Sequence, residues 1–515
     1  MTAKLFDALA QTPAWQALAA SVAKGGVLSC AGVAEHAQPF AVALLRRLMP
    51  DRMILVVTEN PAAQDRFYHD LTTWLVTGPE GLRGHNAGQS SDRAAPDAPA
   101  LPGMLCYPEW EVAPNESRLP TADTLSDRLK TLMALSVVRL ATPEPPLVIT
   151  TAAAIIERTF TPGELKSRCR VLRRGDEIDP LDLIEWLEDQ AYEPEAQVTQ
   201  KGELAMRGGI VDVFPIASDW PVRIEFFGNT IESIRFFDPQ TQMSCEQTDE
   251  AWISPGGELG ILRRLVAEQN NAGIGADAHE GADVGGACST EDGVVASESC
   301  CGSGAARIGT LAGYLPADSI VILCEPQRLA DRIGGRPTAS APNPLMADWD
   351  SVMAELSWRG VVRLEFSQAG SFGEPALDIG LESIEVFRPD TDRRPDPLVA
   401  EAQRREFLSQ IHRWLRQGHA VHAFFNNPSE RQQFEEMWRD AGFDRGVDAG
   451  AQQSMGAASS GMAEAGLHLH TGSLGGGFVC SAGHLVVVTD GEVFGRYKVH
   501  RPRRLKMRTI APASR

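Results

Sequence analysis

The residues with the clearest potential for chemistry lie in CAGVAEHAQPF, residues 30–40, between an apolar run that predicts a strand and a run that predicts a helix. A phosphate-binding loop follows G-x-x-x-x-G-K-[ST]: its glycines let the backbone face the phosphates, and its lysine and hydroxyl serve phosphate and magnesium. Aligned with that pattern, the segment supplies Gly32, Ala37, Gln38 and Pro39. Because only the first glycine matches, the segment by itself fits an ordinary strand-to-helix turn.

A second position that bears on nucleotide binding is the end of the apolar run SIVILCEPQ, residues 319–327. ATPases with a phosphate-binding loop hold magnesium through an acidic residue at the end of such a buried strand. Here the two residues are Cys324 and Glu325. A thiol is a poor magnesium ligand, because Mg²⁺ prefers oxygen donors. Both parts of an ATPase site are therefore degenerate, and we expect no bound ATP, magnesium or other cofactor in this chain.

The elements around these positions alternate between strand-like and helix-like segments through the first 150 residues. Such alternation predicts an α/β unit with a largely parallel sheet. Residues 158–254 differ, because GIVDVFP, PVRIEFF and IESIRFFD alternate like antiparallel strands and Gly228-Asn229 predicts a hairpin between two of them. The pattern indicates a small α+β domain inserted into the first α/β domain.

The whole chain divides into five predicted segments: 1–157, 158–254, 255–345, 346–500 and 501–515. The first and third form one α/β domain that the second interrupts, the fourth is a second α/β domain, and the fifth is a basic linker tail. Residues 267–307 are poor in large apolar side chains, which predicts a flexible surface loop.

The most specific stretch joins GELAMRGGIVDVFP, residues 202–215, to VRIEFFGNTIESIRFFDPQT, residues 222–241. It closely resembles the small inserted domain shared by UvrB and the transcription-repair-coupling factors. The matching residues are Arg207-Gly208-Gly209, Asp212, Phe214-Pro215, Arg223, Glu225-Phe226-Phe227 and Phe237-Asp238-Pro239. PNESRLPTADTLSDRLKTL, VITTAAAIIERTFTP and VVVTDGEVFGRYKVHRPRR resemble the coupling factors, so the resemblance covers nearly the whole chain outside its low-complexity inserts.

The resemblance implies a fold and a role. The fold would be a degenerate RecA/helicase-like α/β domain (domains 1A and 1B), an inserted UvrA-binding domain 2, and a second α/β domain (domain 3). In this family the inserted domain recruits UvrA, whereas RNA polymerase, DNA and the ATP-driven translocase belong to downstream domains. The chain by itself is then expected to be an adaptor with no catalytic residue.

Three residues match the UvrA-binding positions of the family: Arg207, Arg223 and Phe227. Arginines can pair with acidic groups of a partner, and an exposed phenylalanine can be an anchor. In the alternative interpretation Arg223 pairs with Glu225 or Glu232, and Phe227 belongs to the core.

Strand alternation helps to separate these two interpretations. It places Arg223, Glu225 and Phe227 on one face of their strand and Ile224 and Phe226 on the other. Because the second face is apolar and suits the core, we expect the arginine and Phe227 to point outward.

The competing hypothesis for function is a UvrB-type ATP-dependent damage-recognition subunit. Such a protein needs the loop lysine and threonine, an acid at position 324 and an aromatic β-hairpin, and PEWEVAPNESRLPTADTL contains no aromatic cluster. A free-standing decoy that titrates UvrA is a third possibility.

Composition is that of a soluble globular protein, with 43% hydrophobic and 23% charged residues in a chain of 515. The net charge of −20 means that nucleic-acid binding would need a local basic patch, for which the tail is a candidate.

Nine dispersed cysteines without a C-x-x-C pair indicate a reducing compartment. With no signal-peptide-like segment and no membrane-length apolar run, we expect a cytoplasmic protein without membrane contact. His468 and His470 share a strand face, but no third metal ligand is evident.

Overall fold

A computed structural model describes residues 6–7, 9–76, 103–136, 145–276, 307–334, 343–369, 376–387, 397–443 and 466–495. In these ranges the chain forms a large mixed sheet packed with helices and a smaller sheet inserted into it. The predicted α/β fold with an inserted small domain is confirmed, and it is consistent with a RecA-like arrangement. The predicted tail, 501–515, and residues 277–306 of the predicted loop lie outside the described residues.

The elements before the insertion are α1 (Pro13–Lys24), β1 (Val27–Val33), α2 (Gln38–Leu48), β2 (Ile54–Thr58), α3 (Pro61–Val76), β3 (Met104–Tyr107), α4 (Ala122–Ser136), β4 (Leu147–Thr151) and α5 (Ala152–Ile156). The inserted part and its return contain β5 (Thr159–Phe160), α6 (Pro162–Arg168), β6 (Arg170–Arg173), α7 (Pro180–Asp189), β7 (Glu193–Pro194), β8 (Glu203–Arg207), β9 (Ile210–Val213), β10 (Val222–Phe227), β11 (Thr230–Phe237), β12 (Ser244–Thr248), β13 (Glu250–Ile253), α8 (Leu259–Ala276) and β14 (Ile308–Gly309).

The remaining elements are β15 (Ile320–Cys324), α9 (Pro326–Gly334), α10 (Trp349–Trp358), β16 (Val362–Phe366), β17 (Leu377–Ser383), α11 (Pro397–Arg416), β18 (Ala420–Phe425), α12 (Pro428–Asp440), β19 (Leu467–Thr471), β20 (Phe478–Cys480), β21 (Leu485–Thr489) and α13 (Asp490–Phe494).

The main sheet has the strand order β19-β18-β21-β20-β17-β1-β16-β15-β2-β4-β3 among the described residues. Its strands pair in parallel except where β20 lies antiparallel between β17 and β21. The inner strands β2, β4, β15 and β21 are buried along their whole length. Continuous apolar runs are typical of parallel strands that helices cover on both faces.

The inserted sheet has the order β12-β11-β10-β9-β8-β7. The hairpin predicted at Gly228-Asn229 is confirmed, because β10 and β11 pair on either side of it and Gly228 has a φ of +60°. One face of this sheet packs with α7 in a core that includes Ile224 and Leu183. This packing gives the inserted part a core of its own.

The structure differs from the sequence expectations in two places. Strand β16 lies between β1 and β15, so the predicted boundary at residue 346 does not fall at an edge of the sheet. Helix α8 continues to Ala276, into the predicted loop 267–307, because a helix that is already nucleated extends at little cost. The domain limits themselves remain predictions.

A cluster of three histidines lies where β18 pairs with the sheet-edge strand β19. His422 Nδ1 is 3.0 Å from His470 Nε2, and His468 lies opposite His422 in the strand register. Burial, together with the neighbouring imidazoles, lowers the pKa of His422 to about 3 and that of His470 to about 4. His422 thus joins the two histidines noted in the sequence, although no group of three His, Cys, Asp or Glu side chains in the described ranges is arranged to hold a metal ion.

We expect this cluster to make stability depend on pH. In the unfolded chain the histidines take up protons below about pH 6.5, whereas in the folded chain they stay neutral until about pH 3–4. Stability should therefore fall as the pH drops from about 6.5 towards 4, by up to about 3 kcal/mol from each of His422 and His470. Urea unfolding of wild type and His422→Leu at about pH 7.5 and 5 checks this, and an equal pH dependence in both would contradict it.

Candidate partner-binding surface and degenerate phosphate-loop site

The first residue of the degenerate loop, Gly32, lies in β1 where the strand meets β17. Its φ is +67°, and the pairing register shifts at this position. A Cβ here would meet Asp378 Oδ1 and would lie 3.2 Å from Gly380 N. The close approach of β17 is therefore enough to explain why a glycine stands here, and phosphate binding is not needed as a reason.

Replacing Gly32 by alanine should test that explanation. In the variant, alanine would have to adopt a left-handed backbone conformation and its Cβ would press against β17. We therefore expect the free energy of unfolding to fall by about 1–2 kcal/mol. Gly334→Ala is the matched control, because nothing lies within 4 Å of its added Cβ and its φ is not positive. Denaturant unfolding of both variants measures the difference. Equal stability of the two would show that β17 does not constrain Gly32.

The other loop residues lie at the start of α2. Ala37 and Pro39 are buried, and the Gln38 side chain is only 2% exposed. Gln38 Nε2 donates a hydrogen bond of 3.0 Å to Glu325 Oε1. The residue at the lysine position and the acid at the magnesium position thus bind each other.

Cys324 is the last residue of β15, and Glu325 comes directly after it. Burial raises the pKa of the Cys324 thiol, so it stays protonated. Glu325 has a φ of +55°, and its carboxylate also accepts a hydrogen bond of 3.2 Å from Gln368 N. Burial raises the pKa of Glu325, although Arg328 acts in the opposite direction. The thiol is not an oxygen donor, and Glu325 Oε1 already accepts two hydrogen bonds, from Gln38 Nε2 and Gln368 N, so the pair is a poor magnesium site.

The cleft between these elements has a volume of about 40 Å³, against about 300–1,000 Å³ for typical ligand pockets. Its lining carries four carboxylates, from Glu35, Glu59, Asp70 and Glu325. Two arginines also line it, and both pair with Glu35, at 3.0 Å for Arg66 and 2.8 Å for Arg328. The size and the charge of the cleft both disfavour a triphosphate.

A glycine-rich loop before β20 packs over this cleft. Gly475 N donates a hydrogen bond of 2.9 Å to Asp70, and a Cβ on Gly476 would lie 2.6 Å from the His36 ring. His36 Nε2 is 2.9 Å from Glu385 Oε1. Burial lowers the pKa of His36, but this contact and the nearby charges outweigh burial and raise the pKa above its usual value. His36 and Asp70, which line the cleft, therefore hold the fourth predicted segment, 346–500, against the first.

The inserted domain places the predicted partner-binding residues on and beside its outer sheet face. Arg223 lies opposite Asp212 in the strand register, and the two form a two-point ion pair with both distances at 2.8 Å. The hydrogen bond with Asp212 raises the pKa of Arg223. The Arg223 side chain is 18% exposed. The alternative pairing with Glu225 or Glu232 is therefore replaced by a pairing with Asp212.

Arg207 and Phe227 lie towards the same end of this sheet. Arg207 ends β8 opposite Ile210, which in turn lies opposite Glu225 of β10. Phe227 ends β10, and its side chain is 80% exposed. Ile224 is buried, as the strand alternation predicted. Phe227 is thus outside the core, and a large exposed aromatic side chain often marks an interface.

Comparison with known proteins supports the resemblance seen in the sequence. Residues 171–258 match the family model described as the UvrB interaction domain. The inserted part of this chain is therefore similar to a UvrB interaction domain, and we refer to it by that name.

Relatives include the transcription-repair-coupling factors of Bacillus subtilis (strain 168), 35% identical over 159 residues, and of Escherichia coli (strain K12), 30% identical over 151 residues. That of Staphylococcus aureus (strain USA300) is 31% identical over 162 residues. These matches cover 31%, 29% and 31% of this chain, and the aligned part spans 13% of each relative. The predicted resemblance to transcription-repair-coupling factors is confirmed for the aligned part of the chain; its predicted extent over nearly the whole chain stays a prediction.

The structure brings out residues near the UvrB interaction domain that the sequence prediction missed. Arg128 of α4 is fully buried with Glu157 and Glu258, at the two points where the chain enters and leaves this domain. A signal existed in the sequence, because Arg128 occupies a helical position in line with Leu125 and Leu132 on the apolar face. A charge in such a stripe indicates a buried pair.

Within the described part of the chain, no helix combines the length and apolar character needed to cross a membrane.

Proposed function

We propose that this chain is the adaptor portion of a transcription-repair-coupling factor and that its UvrB interaction domain binds UvrA. The observation that carries the proposal is Phe227, 80% exposed at the end of β10 in a domain that matches the UvrB interaction model. Arg207 and Arg223 complete the proposed site. Because the aligned part spans 13% of each relative, contacts with RNA polymerase and DNA, and control of an ATP-dependent translocase, are proposed for the longer proteins.

Isothermal titration calorimetry of the chain with purified UvrA tests this role. We expect saturable one-to-one binding. An excess of UvrB should displace the chain from UvrA, because both proteins would bind UvrA through the same kind of inserted domain. Absence of binding, or binding that UvrB leaves unchanged, would contradict the proposed adaptor role. Bovine serum albumin in place of UvrA controls for non-specific association.

We further propose that this portion neither binds nor hydrolyses ATP. The small acidic cleft and the Gln38–Glu325 hydrogen bond support this. A ligand present at 100 times its dissociation constant stabilises a protein by about 2.7 kcal/mol. We therefore expect no thermal shift with magnesium-ATP, whereas UvrB, with its intact phosphate loop, should shift. A concentration-dependent shift in this chain would contradict the proposal.

The UvrB-type alternative is less well supported. The region between β3 and α4 contains no strand, and Arg263 holds it against α8 through Pro114 O at 3.2 Å and through Glu116 O. A protein that threads DNA beneath a β-hairpin would need strands here. The degenerate cleft argues in the same direction.

A further inference from the structure

Part of the outer face of the UvrB interaction domain is covered by residues 195–200, here called the strap. At one end the backbone N–H of Glu195 donates a hydrogen bond of 2.8 Å to β8. At the other end Gln200 N donates a hydrogen bond of 2.8 Å to Glu203 Oε2. Every strap residue except Val198 is exposed. The strap therefore offers polar side chains to solvent beside the proposed binding site.

Val198 fixes the middle of the strap to the sheet. Its side chain is fully buried in a small apolar cluster with Ala205, Phe214 and Phe237. This cluster lies apart from the main core of the domain. Burial of one valine gives about 1.5–3 kcal/mol, which is little to order six residues. Further contacts are needed to hold the strap in one conformation.

Arg207 supplies the first of these contacts. Its Nη2 and Nε atoms both donate to Ala196 O, at 2.6 and 3.2 Å. The guanidinium therefore directs two donors at the strap backbone. A lysine would keep the charge but would lack this fork of donors.

Arg223 supplies the second contact through an intermediate residue. Its Nη1 donates to Gln242 O at 3.2 Å, and Gln242 Nε2 donates to Val198 O at 3.0 Å. The guanidinium also lies 4.6 Å above the ring of Phe237, beneath the strap cluster. With Asp212 taking its other donors, Arg223 has few donors left for a partner carboxylate.

We propose that the strap is part of the surface that contacts UvrA, and that Arg207 and Arg223 are positioning residues that hold it there. Phe227 makes the direct apolar contact. The inference rests on the proposed UvrA-binding function. Two strand spacings separate β8 from β10, so Phe227 lies about 10 Å across and about 7 Å along the sheet from Arg207. A standard interface of about 800 Å² per partner can cover both the strap at Arg207 and the side chain of Phe227.

Two measurements on the full chain test this inference: deuterium uptake of residues 195–200 without UvrA, and affinity for UvrA by calorimetry. The variants are Arg207→Lys and Arg223→Lys, which keep the charge, and Val198→Ala, which loosens the strap and leaves both arginines in place. Each should raise strap uptake and weaken UvrA binding about tenfold. Arg173→Lys is the matched control, since Arg173 pairs with Glu250 at 3.4 Å on the separate β6–β13 sheet and should change neither quantity.

The outcomes separate the strap from the proposed function. Weaker binding by the lysine variants with unchanged strap uptake would overturn the positioning role. Raised uptake in Val198→Ala with unchanged affinity would overturn the strap as a contact. Phe227→Ala should weaken binding and leave strap uptake unchanged. Full affinity in Phe227→Ala would instead refute the proposed binding surface.

Discussion

Replacing Arg128 by alanine is expected to lower the free energy of unfolding by about 3–5 kcal/mol. Arg128 is fully buried, donates to Glu258 from Nε at 2.7 Å and from Nη2 at 3.1 Å, and donates to Glu157 from Nη1 at 2.7 Å. Its guanidinium lies over the rings of Tyr107 and Trp110, at 4.2 and 4.7 Å. Removal would leave the buried acidic groups of Glu157 and Glu258 without their cation, and each one that is ionised becomes a buried charge without a partner, which is costly.

The pH dependence of this loss follows from the same network. Burial raises the pKa of Glu157 to about 8, although Arg128 pulls it down. A carboxyl whose pKa is raised in the folded state contributes stability at low pH, and that stability is lost as the pH rises through the folded pKa. Without Arg128 this pKa should rise further. The alanine variant should therefore be less impaired at about pH 5 than at about pH 8.

Urea denaturation at both pH values measures these effects. Arg405→Ala is the matched control, because Arg405 pairs with Glu401 in an exposed position of α11 and should change stability by less than about 1 kcal/mol. Arg128→Met combined with Glu157→Gln and Glu258→Gln should recover part of the loss, since no charge stays unpaired. A loss below about 1 kcal/mol in Arg128→Ala would show that the network does not stabilise the fold.

The second large effect is expected at Phe227. Under the proposed function, Phe227→Ala should weaken UvrA binding by about 2–4 kcal/mol, or about 30- to 700-fold, as for a central aromatic anchor. The free energy of unfolding should stay within about 0.5 kcal/mol of wild type, because the side chain is 80% exposed and outside the core. Loss of affinity without loss of stability is the signature of a contact residue.

Calorimetry with UvrA, with denaturant unfolding in parallel, measures both quantities. Trp358→Ala is the matched control: Trp358 is an aromatic side chain that is 84% exposed, and it lies at the end of α10, outside the inserted domain. Its replacement should leave UvrA affinity unchanged. Equal effects of the two variants would mean that Phe227 is no special anchor.

Local patterns predicted the elements of this protein well. Apolar runs gave the strands β2, β4 and β15, and the Gly228-Asn229 pair gave the hairpin of the inserted domain. Alternation along β10 correctly assigned Ile224 to the core. Each of these features depends on residues close together in the chain, and periodicity reports such features directly.

Long-range pairing was harder to predict. The position of β16 between β1 and β15 places a strand expected to belong to the second α/β domain inside the first. Strand β16, VRLEF, alternates apolar and charged residues, whereas its neighbour β15 is apolar throughout, and neither pattern specifies the order of the strands. Strand order depends on which faces can be buried together, and that is a property of the assembled sheet.

The sequence by itself determined that the segment aligned with a phosphate loop contains no lysine or hydroxyl at the required positions, and that an inserted domain resembles that of UvrB. Only the tertiary structure decided how the remaining residues are used. Gln38 binds Glu325 across the old cleft, Gly32 accommodates β17, and Arg223 binds Asp212. The reason is physical: a residue type fixes which bonds a side chain can make, whereas the fold fixes which partner lies within about 3 Å of it.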